Sequence, residues 1–292
     1  MAAVPDFATL APFVLLLTAV LGLWLHRVVW MSALIAAVAL GYHSGALQGL
    51  AALWILISAA LAWSYARARA RATTSGARVL QLAVGLVFLV YALAMALAVL
   101  PGFIRVELVP PRVLSEGAAP YALAVGFPKV VIGILILGLI NPLVSLPGLG
   151  RVLKSALPVL IITTAAVIVC ALALGYTRFD PHWASLFLLW APINLLFTCL
   201  SEEAFFRGYV QHEIARIGEN RAIWGALALL VGALSFGLVH FAGGAAYVIA
   251  GVVAGLGYGW AFLRTQRVEA AMAVHFGVNA VHFLLFVYPR PA

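Results

Sequence analysis

Two adjacent glutamates follow a long uncharged stretch of the sequence. The segment "FTCLSEEAFFRGYVQHE" (197–213) places Glu202, Glu203 and Arg207 after a run, 183–200, that contains no Asp, Glu, Lys or Arg. On a helix, residues four apart share a face, so Glu203 can pair with Arg207, whereas Glu202 points about 100° away from Glu203. We therefore predict a structural role for Glu203 and a chemical role for Glu202. The alternative is a partly aqueous helix end whose charges are merely solvated.

Two further polar clusters follow in apolar segments. "SFGLVHFAGG" carries His240, one turn after Phe236, and "AMAVHFGVNAVHF" carries His275, Asn279 and His282 at spacings i, i+4 and i+7. The second set forms one polar stripe on a helix. Ionisable side chains at membrane depth cost about 2.5–3.5 kcal/mol on insertion scales, so they need a partner, a cavity or a site. An interfacial histidine and hydrogen bonding between helices are the structural alternatives for these two clusters.

Together, the three clusters contain the groups needed to hydrolyse a peptide bond without a covalent intermediate. A desolvated glutamate can serve as a general base toward water, and a histidine can orient that water or protonate the leaving amine. A histidine–asparagine pair can hold the oxyanion of a tetrahedral intermediate. No serine or cysteine occurs in a recognisable triad pattern, and HExxH is absent.

The composition predicts the elements that must position these groups. Of the 292 residues, 65% are hydrophobic and 9% are charged, against about 25% charged residues in soluble proteins. Cys170 and Cys199 both lie in apolar runs and give no disulfide framework or metal-binding spacing. We predict an all-α polytopic transmembrane helical bundle of about 8–10 spans, with ten as the central count, at 9–25, 28–42, 46–64, 79–100, 125–141, 157–176, 183–206, 222–241, 245–263 and 271–288.

The distribution of basic residues predicts the orientation. The net charge of +8 is better explained by membrane topology than by nucleic-acid binding, and we predict no nucleic-acid partner. With ten spans and an external N-terminus, five of the 17 basic residues fall outside and the other twelve inside; the outer ones are Arg105, Arg112, Lys129, Arg178 and Arg290. The positive-inside rule supports this orientation. We predict a multi-pass protein of a bacterial inner membrane whose site opens toward the cytoplasm.

The polar residues are confined to the C-terminal part of the chain. The Pro-rich segment 101–120 divides an N-terminal transmembrane region, 1–120, from a C-terminal core, 121–292, with all the motifs within 157–288. A second break is predicted at 141–158. Gly251, Gly255 and Gly259 recur every four residues, a spacing typical of close helix packing.

The three motifs resemble those of the CPBP family, the CAAX proteases and bacteriocin-processing enzymes, also called Abi. The family pattern is EExxxR, then FxxxH, then HxxxN or HxxxD, and this sequence has "EEAFFR" (202–207), "FGLVH" (236–240) and "HFGVN" (275–279) in the same order. The resemblance covers roughly 157–288. It implies an intramembrane endopeptidase that cuts near a membrane-anchored C-terminal segment, with a membrane-anchored protein or peptide as substrate and the lipid bilayer as surroundings.

Carried over residue by residue, the resemblance implies a role for each motif position. Glu202 activates the water, His240 binds or polarises it, and His275 and Asn279 stabilise the oxyanion. Supporting positions are Glu203, Arg207 and Phe236. Family members are described both as glutamate-dependent and as metal-dependent; we predict a metal-independent reaction, with Zn²⁺ held by Glu202, His240 and His275 as the alternative.

One geometric requirement accompanies this hypothesis. At 1.5 Å per residue, His240 lies about 27 Å along a span that begins at residue 222, whereas His275 and Asn279 lie about 6–12 Å along theirs. The three motifs can meet only if the span ending at His240 starts in the cytosol, tilts or bends, and Gly225, Gly232 and Gly237 make a bend feasible.

Two other function classes fit parts of the sequence. Intramembrane carboxylates and histidines also build proton relays in transporters. Transporters usually show two related halves, whereas here the polar residues lie in one half. A non-catalytic scaffold or immunity protein of the same fold is the other alternative, which the complete motif set disfavours.

Overall fold

The computed structural model describes residues 6–218 and 221–292. Within them the protein is an all-α bundle, as predicted, with ten helices of more than ten residues and one pair of short strands. The elements are α1 Phe7–Gly22, α2 Arg27–His43, α3 Ala51–Ala70, α4 Ser75–Ala96, β1 Val106–Arg112, β2 Tyr121–Val125, α5 Phe127–Ile140, α6 Leu146–Ala173, α7 at 187–217, α8 Ala222–Leu238, α9 Ala245–Thr265 and α10 Val268–Leu285.

Each of the ten predicted spans coincides with one helix. Five helices of the described residues, α3, α4, α6, α9 and α10, are long and apolar enough to cross a membrane. The others that are apolar, α1, α2, α5 and α8, have 10–17 residues. At 1.5 Å per residue α5 extends about 21 Å, less than the hydrocarbon thickness of about 30 Å.

The largest differences from the predicted spans occur at α6 and α7. The predicted break at 141–158 is helical from Leu146 onward, so α6 has 28 residues and starts 11 residues earlier than expected. Helix α7 ends 11 residues later than its predicted span. Pro147 lies in the first turn, where its missing N–H costs no hydrogen bond and its fixed φ favours the helix. Proline at this position starts a helix, whereas the sequence interpretation predicted a break over the whole of 141–158.

The chain forms two compact units. One comprises the residues up to Leu108 with Ala124–Leu143, and the other comprises Val109–Leu123 with Val144–Ala292. The first therefore contains α1–α5, and the second contains α6–α10. The division at residue 120 that the sequence suggested stays a prediction.

In the first unit, α5 packs against α1, α3 and α4. The rings of Phe13 and Phe127 lie 5.3 Å apart at a tilt of 54°. Gly138 permits a close approach to the indole of Trp30, since a Cβ on this glycine would lie 2.7 Å from that ring. Residues of α5 such as Val131 and Ile134 are fully buried. The apolar side chains of α5 thus form part of the core of this unit.

In the second unit, α6 packs against α9 and α10, and α7 packs against α8 and α10. Helices α8 and α9 make a close contact through glycines. A Cβ on Gly255 would lie 2.9 Å from the Cα of Ala233, and one on Gly237 would lie 2.4 Å from the side chain of Val252. The backbones of α8 and α9 therefore touch directly, which fits the predicted packing role of the glycine repeat.

Candidate active site

Helix α7 carries the glutamate pair and has an unusual backbone. It is continuous from 187 to 217, but Asn194–Cys199 and Ala204–Gln211 have π-helical geometry. Only the α-turn Leu200–Glu203 separates these two segments. Such segments, closed by i→i+5 hydrogen bonds, are rare and are frequent at functional sites. The two glutamates thus lie at the one regular turn between two widened ones.

Glu203 lies in a fully buried ionic cluster. Its carboxylate is 3.1 Å from the Nη1 of Arg207, and neither side chain is exposed to solvent. The same carboxylate is 2.8 Å from the Nδ1 of His275 on α10. The Nη2 of Arg207 donates to the carbonyl of Gly255 on α9, at 2.8 Å. Glu203 therefore joins α7 to α10 as well as to Arg207, and the contact with His275 was not foreseen from the sequence.

Aromatic rings surround the guanidinium of Arg207. It lies 4.8 Å from the ring centre of Phe236 and 5.3 Å from that of Tyr258. Tyr258 in turn stacks on the imidazole of His275, with ring centres 4.5 Å apart and an interplanar angle of 15°. These cation–π contacts help to keep a permanent charge in an apolar interior. Phe236, predicted as a supporting residue, therefore contacts the cluster directly.

A cavity of about 460 Å³ lies beside this cluster. Its volume is in the range of small-ligand and peptide sites. All four residues predicted as catalytic line it, and Glu203 and Arg207 do not; the motif residues on its wall are Glu202, Phe236, His240, His275 and Asn279. The structure therefore separates the adjacent glutamates, with Glu202 on the cavity wall and Glu203 in the buried cluster.

His240 reaches this cavity without a bend in α8. That helix runs uninterrupted over Ala222–Leu238, and His240 lies in the turn that follows it. The cavity itself extends along the helices, from the level of His275 to the residues that follow α10. The predicted tilt or bend at Gly225, Gly232 and Gly237 is unnecessary because the cavity is long, and the polar residues line it at different depths.

The imidazole of His240 is oriented by a backbone contact. Its Nδ1 lies 2.7 Å from the carbonyl oxygen of Phe236. Its ring meets that of Tyr247 edge-on, with centres 4.9 Å apart. A proton on Nδ1 satisfies the carbonyl and leaves Nε2 as the ring nitrogen available to a ligand. The histidine thus bonds back over one helical turn, and the ring of Phe236 also lies against the imidazole, with centres 4.9 Å apart.

Asn279 has a partner that the sequence interpretation missed. Its Nδ2 donates to the Oδ1 of Asn194 at 3.1 Å and approaches the Sγ of Cys199 at 3.8 Å. Asn194 also lines the cavity. It is the only Asn, Gln, His or charged residue in 183–197, so an isolated amide in an apolar run was the signal that could have identified it.

The helices that carry the three motifs also match a known protein family. Residues 183–281 match the family described as Type II CAAX prenyl endopeptidase Rce1-like. This match supports the resemblance of the segment to the CAAX protease (CPBP) family that the three motifs predicted. No curated protein and no solved structure was found to match the chain. The matched CAAX-protease segment contains α7, α8, α9 and most of α10, with all three motifs.

Helix α6 lies outside the matched CAAX-protease segment but contributes to its cavity. Val167, Ile168 and Ala171 line the wall, and α6 packs along α9 and α10. The site of the CAAX-protease segment is therefore completed by a helix from the preceding part of the chain.

The alternative zinc site can be tested against the donor geometry. The Nδ1 atoms of His240 and His275 are engaged by a carbonyl and by Glu203, an arrangement that is common behind metal-binding imidazoles. However, within 6–218 and 221–292 no three His, Cys, Asp or Glu side chains come together as a group that could hold a metal ion. The proposed Glu202, His240 and His275 ligand set is not assembled, and we derive no step through a metal.

The two ends of the second unit differ in charge. At one end, here called the basic end, Val144 contacts Glu269 at the start of α10; the basic residues there are Arg151, Lys154, Arg216, Arg221, Arg264 and Arg267. At the other, here called the mouth end, the chain after α6 meets the chain after α10, with Thr177 bonded to Val287. The cavity reaches the mouth end through Thr177, Gly243 and Arg290.

Proposed function

We propose that this chain is an intramembrane endopeptidase that hydrolyses a peptide bond near a membrane-anchored C-terminal segment, with Glu202 activating the water. One observation carries the proposal: Glu202, His240, His275 and Asn279 line one cavity, while Arg207 and His275 occupy the neighbouring Glu203. The match to the CAAX-protease family supports peptidase chemistry, and the long apolar helices support a site within the membrane.

The reaction needs one base, one oxyanion site and one acid. The Glu202 carboxylate takes a proton from water as the water oxygen attacks the scissile carbonyl carbon. The resulting tetrahedral oxyanion collapses, the C–N bond breaks, and the nitrogen receives the proton that Glu202 took from the water, either directly or through His240. All atoms of the water end in the two products, and no covalent enzyme intermediate forms.

His275 supplies the oxyanion contact through its outer ring nitrogen. Glu203 accepts from Nδ1, so Nε2 is directed away from the ionic cluster, and in the imidazolium form it donates a hydrogen bond to the oxyanion. Asn279, which Asn194 holds in place, lies beside His275 on the cavity wall. Glu203 contacts His275 and does not line the cavity, so it acts on the reaction through His275.

We further infer that the cavity opens on the non-cytoplasmic face, in place of the cytoplasmic opening expected from the sequence. Six basic residues lie at the basic end of the second unit, and the mouth end has three, Arg112, Arg178 and Arg290, with Asp180 and Glu116. The positive-inside rule therefore assigns the basic end to the cytoplasm. From the sequence we expected the site near the cytoplasmic ends of the spans, because residue positions within single spans do not show where a cavity lies between the helices.

Cysteine labelling tests this orientation. In a parent lacking Cys170 and Cys199, we expect a membrane-impermeant maleimide to label Trp183→Cys, at the mouth end, in intact cells. Gly150→Cys, at the basic end, is expected to react only after the membranes are opened; a Cβ at this position meets open space. Labelling of Gly150→Cys alone in intact cells would place the mouth in the cytoplasm.

The function itself is tested by cleavage in liposomes. The matched family is named for prenyl endopeptidase activity, so the probe is a farnesylated CAAX peptide with a fluorophore and a quencher on either side of the bond after the cysteine. We expect the reconstituted protein to release fluorescence, and the same peptide without the prenyl chain to react more slowly because it partitions less into the bilayer.

Folded protein that cleaves neither peptide would contradict the proposal. Dialysis against a chelator separates the two mechanisms within the family. We expect cleavage to survive it, and a loss that returned on adding Zn²⁺ would replace the mechanism above with a metal-dependent one.

A further inference from the structure

The cavity wall carries two formal charges of opposite sign at different depths. Among the described residues that line it, Glu202 is the only carboxylate and Arg290 is the only lysine or arginine. Glu202 lies midway along α7, whereas Arg290 lies beyond the end of α10 and is exposed. The lining between them includes the tyrosines Tyr176, Tyr247 and Tyr288. Among the described residues of the wall, a ligand that fills this cavity therefore meets a single permanently charged cation, the guanidinium at the mouth.

The backbone around Arg290 is fixed, while its side chain has no ionic partner. The carbonyl of Arg290 accepts from the N–H of Ala119 at 2.9 Å, and Pro291 pairs with Ala118. Its guanidinium donates to the carbonyl of Pro291 at 3.2 Å, and no carboxylate of residues 6–218 or 221–292 forms an ion pair with it. Burial raises the pKa of the Tyr176 phenol, and the positive charge of Arg290 opposes that rise, so the guanidinium lies near this wall residue.

The distance between the reaction level and the mouth defines a peptide length. From His275 and Asn279 to the end of α10 at Leu285 the helix rises about 9–15 Å. An extended peptide covers about 3.3–3.6 Å per residue, so three or four residues reach from the scissile bond to the mouth. A substrate cut that close to its C-terminus brings its own terminal carboxylate to the end of α10, and Arg290 follows this end by five residues.

We propose that Arg290 binds the C-terminal carboxylate of the peptide substrate and so sets the position of the cut relative to the chain end. The proposal rests on the proposed endopeptidase function. Arginine suits this task because its planar guanidinium can hold a carboxylate through two parallel hydrogen bonds. The stacked rings of Tyr176 and Tyr247, 5.0 Å apart, form the adjoining wall.

The test compares a free and a blocked C-terminus in wild type and Arg290→Ala. The farnesylated CAAX peptide is prepared as the acid and as the carboxamide, and kcat/KM is measured for both in liposomes. In the wild type we expect amidation to lower kcat/KM about ten- to hundredfold, the range for a hydrogen bond to a charged group. Arg290→Ala is expected to lose a similar factor on the acid and to show no further loss on the amide. Arg290→Lys is expected to retain part of the preference for the acid.

The matched control is Arg178→Ala. Arg178 also lies at the mouth end, but it donates to the carbonyl of Glu116 and does not line the cavity, so the ratio of acid to amide rates is expected to stay at the wild-type value. Equal cleavage of acid and amide by wild type would overturn the proposal and leave the endopeptidase function standing. Equal losses on both peptides in Arg290→Ala would also overturn it and assign Arg290 to lipid headgroups or to folding. Wild-type protein that cleaves neither peptide would overturn the endopeptidase function, and this proposal with it.

Discussion

Replacing Glu202 by glutamine is expected to lower cleavage of the farnesylated peptide by a factor of about 10²–10⁴, the usual contribution of a positioned general base. Glutamine keeps the size and the hydrogen-bonding capacity of the side chain but cannot accept the proton of the attacking water. Since Glu202 lies on the cavity wall and Glu203 lies in the buried cluster, the substitution removes the base and leaves the ion pair. The measurement is kcat in liposomes at saturating peptide, together with the thermal unfolding midpoint.

Glu107→Gln is the matched control for this experiment. Glu107 is an exposed residue of β1, so the same change of charge there is expected to leave both kcat and the unfolding midpoint at wild-type values. Full activity in Glu202→Gln would remove Glu202 from the mechanism. A collapse of the unfolding midpoint in that variant would show that Glu202 holds the fold.

Replacing Arg207 by methionine is expected to produce the largest loss of stability, about 3–5 kcal/mol in the free energy of unfolding. The guanidinium neutralises Glu203, which is completely buried, and it also donates to Gly255 on α9. Methionine fills much of the same space but leaves the Glu203 carboxylate with only the imidazole of His275 as its partner. Unfolding of the detergent-solubilised protein by heat or denaturant, followed by circular dichroism, measures the change.

The double variant Glu203→Gln/Arg207→Met distinguishes charge from packing. It removes both charges, so the cost of an uncompensated buried ion disappears, and we expect it to be more stable than Arg207→Met alone. Its cleavage activity is nevertheless expected to stay low, because the Nδ1 of His275 loses the carboxylate that orients its ring. A single variant as stable as wild type would contradict the ionic role of Arg207.

The spacing of residues within single helices predicted most of the residues of the site. It predicted little about the depth along the helices at which they lie. Spacing on a helix was sufficient to pair Glu203 with Arg207 and to separate Glu202 from them, since both relations exist within one segment. The contacts of His275 with Glu203 and of Asn279 with Asn194 join α10 to α7. Such contacts depend on how helices pack, which residue spacing within one helix does not specify.

The fold shows the same division between local and long-range information. The ten apolar segments located the ten helices because hydrophobicity follows each helix along the chain. The start of α6 was misplaced because Pro147 and the glycines after it read equally as a loop or as a first helical turn. No feature of amino-acid composition predicts the π-helical segments of α7. To predict the face on which the cavity opens, one must know which residues lie at each end of the bundle.

The direct backbone contact between α8 and α9 has a mechanical consequence. These two helices provide Phe236, the turn to His240, and the tyrosines Tyr247 and Tyr258 on one wall of the cavity. Because Gly237 and Gly255 leave no room even for a methyl group, α8 and α9 are held at one separation. Helix α6 meets α9 in the same way, since a Cβ on Gly257 would lie 2.2 Å from the side chain of Thr163. Glycine contacts therefore fix both α8 and α6 against α9, and they hold His240, in the turn after α8, at one position relative to the other residues of the cavity wall.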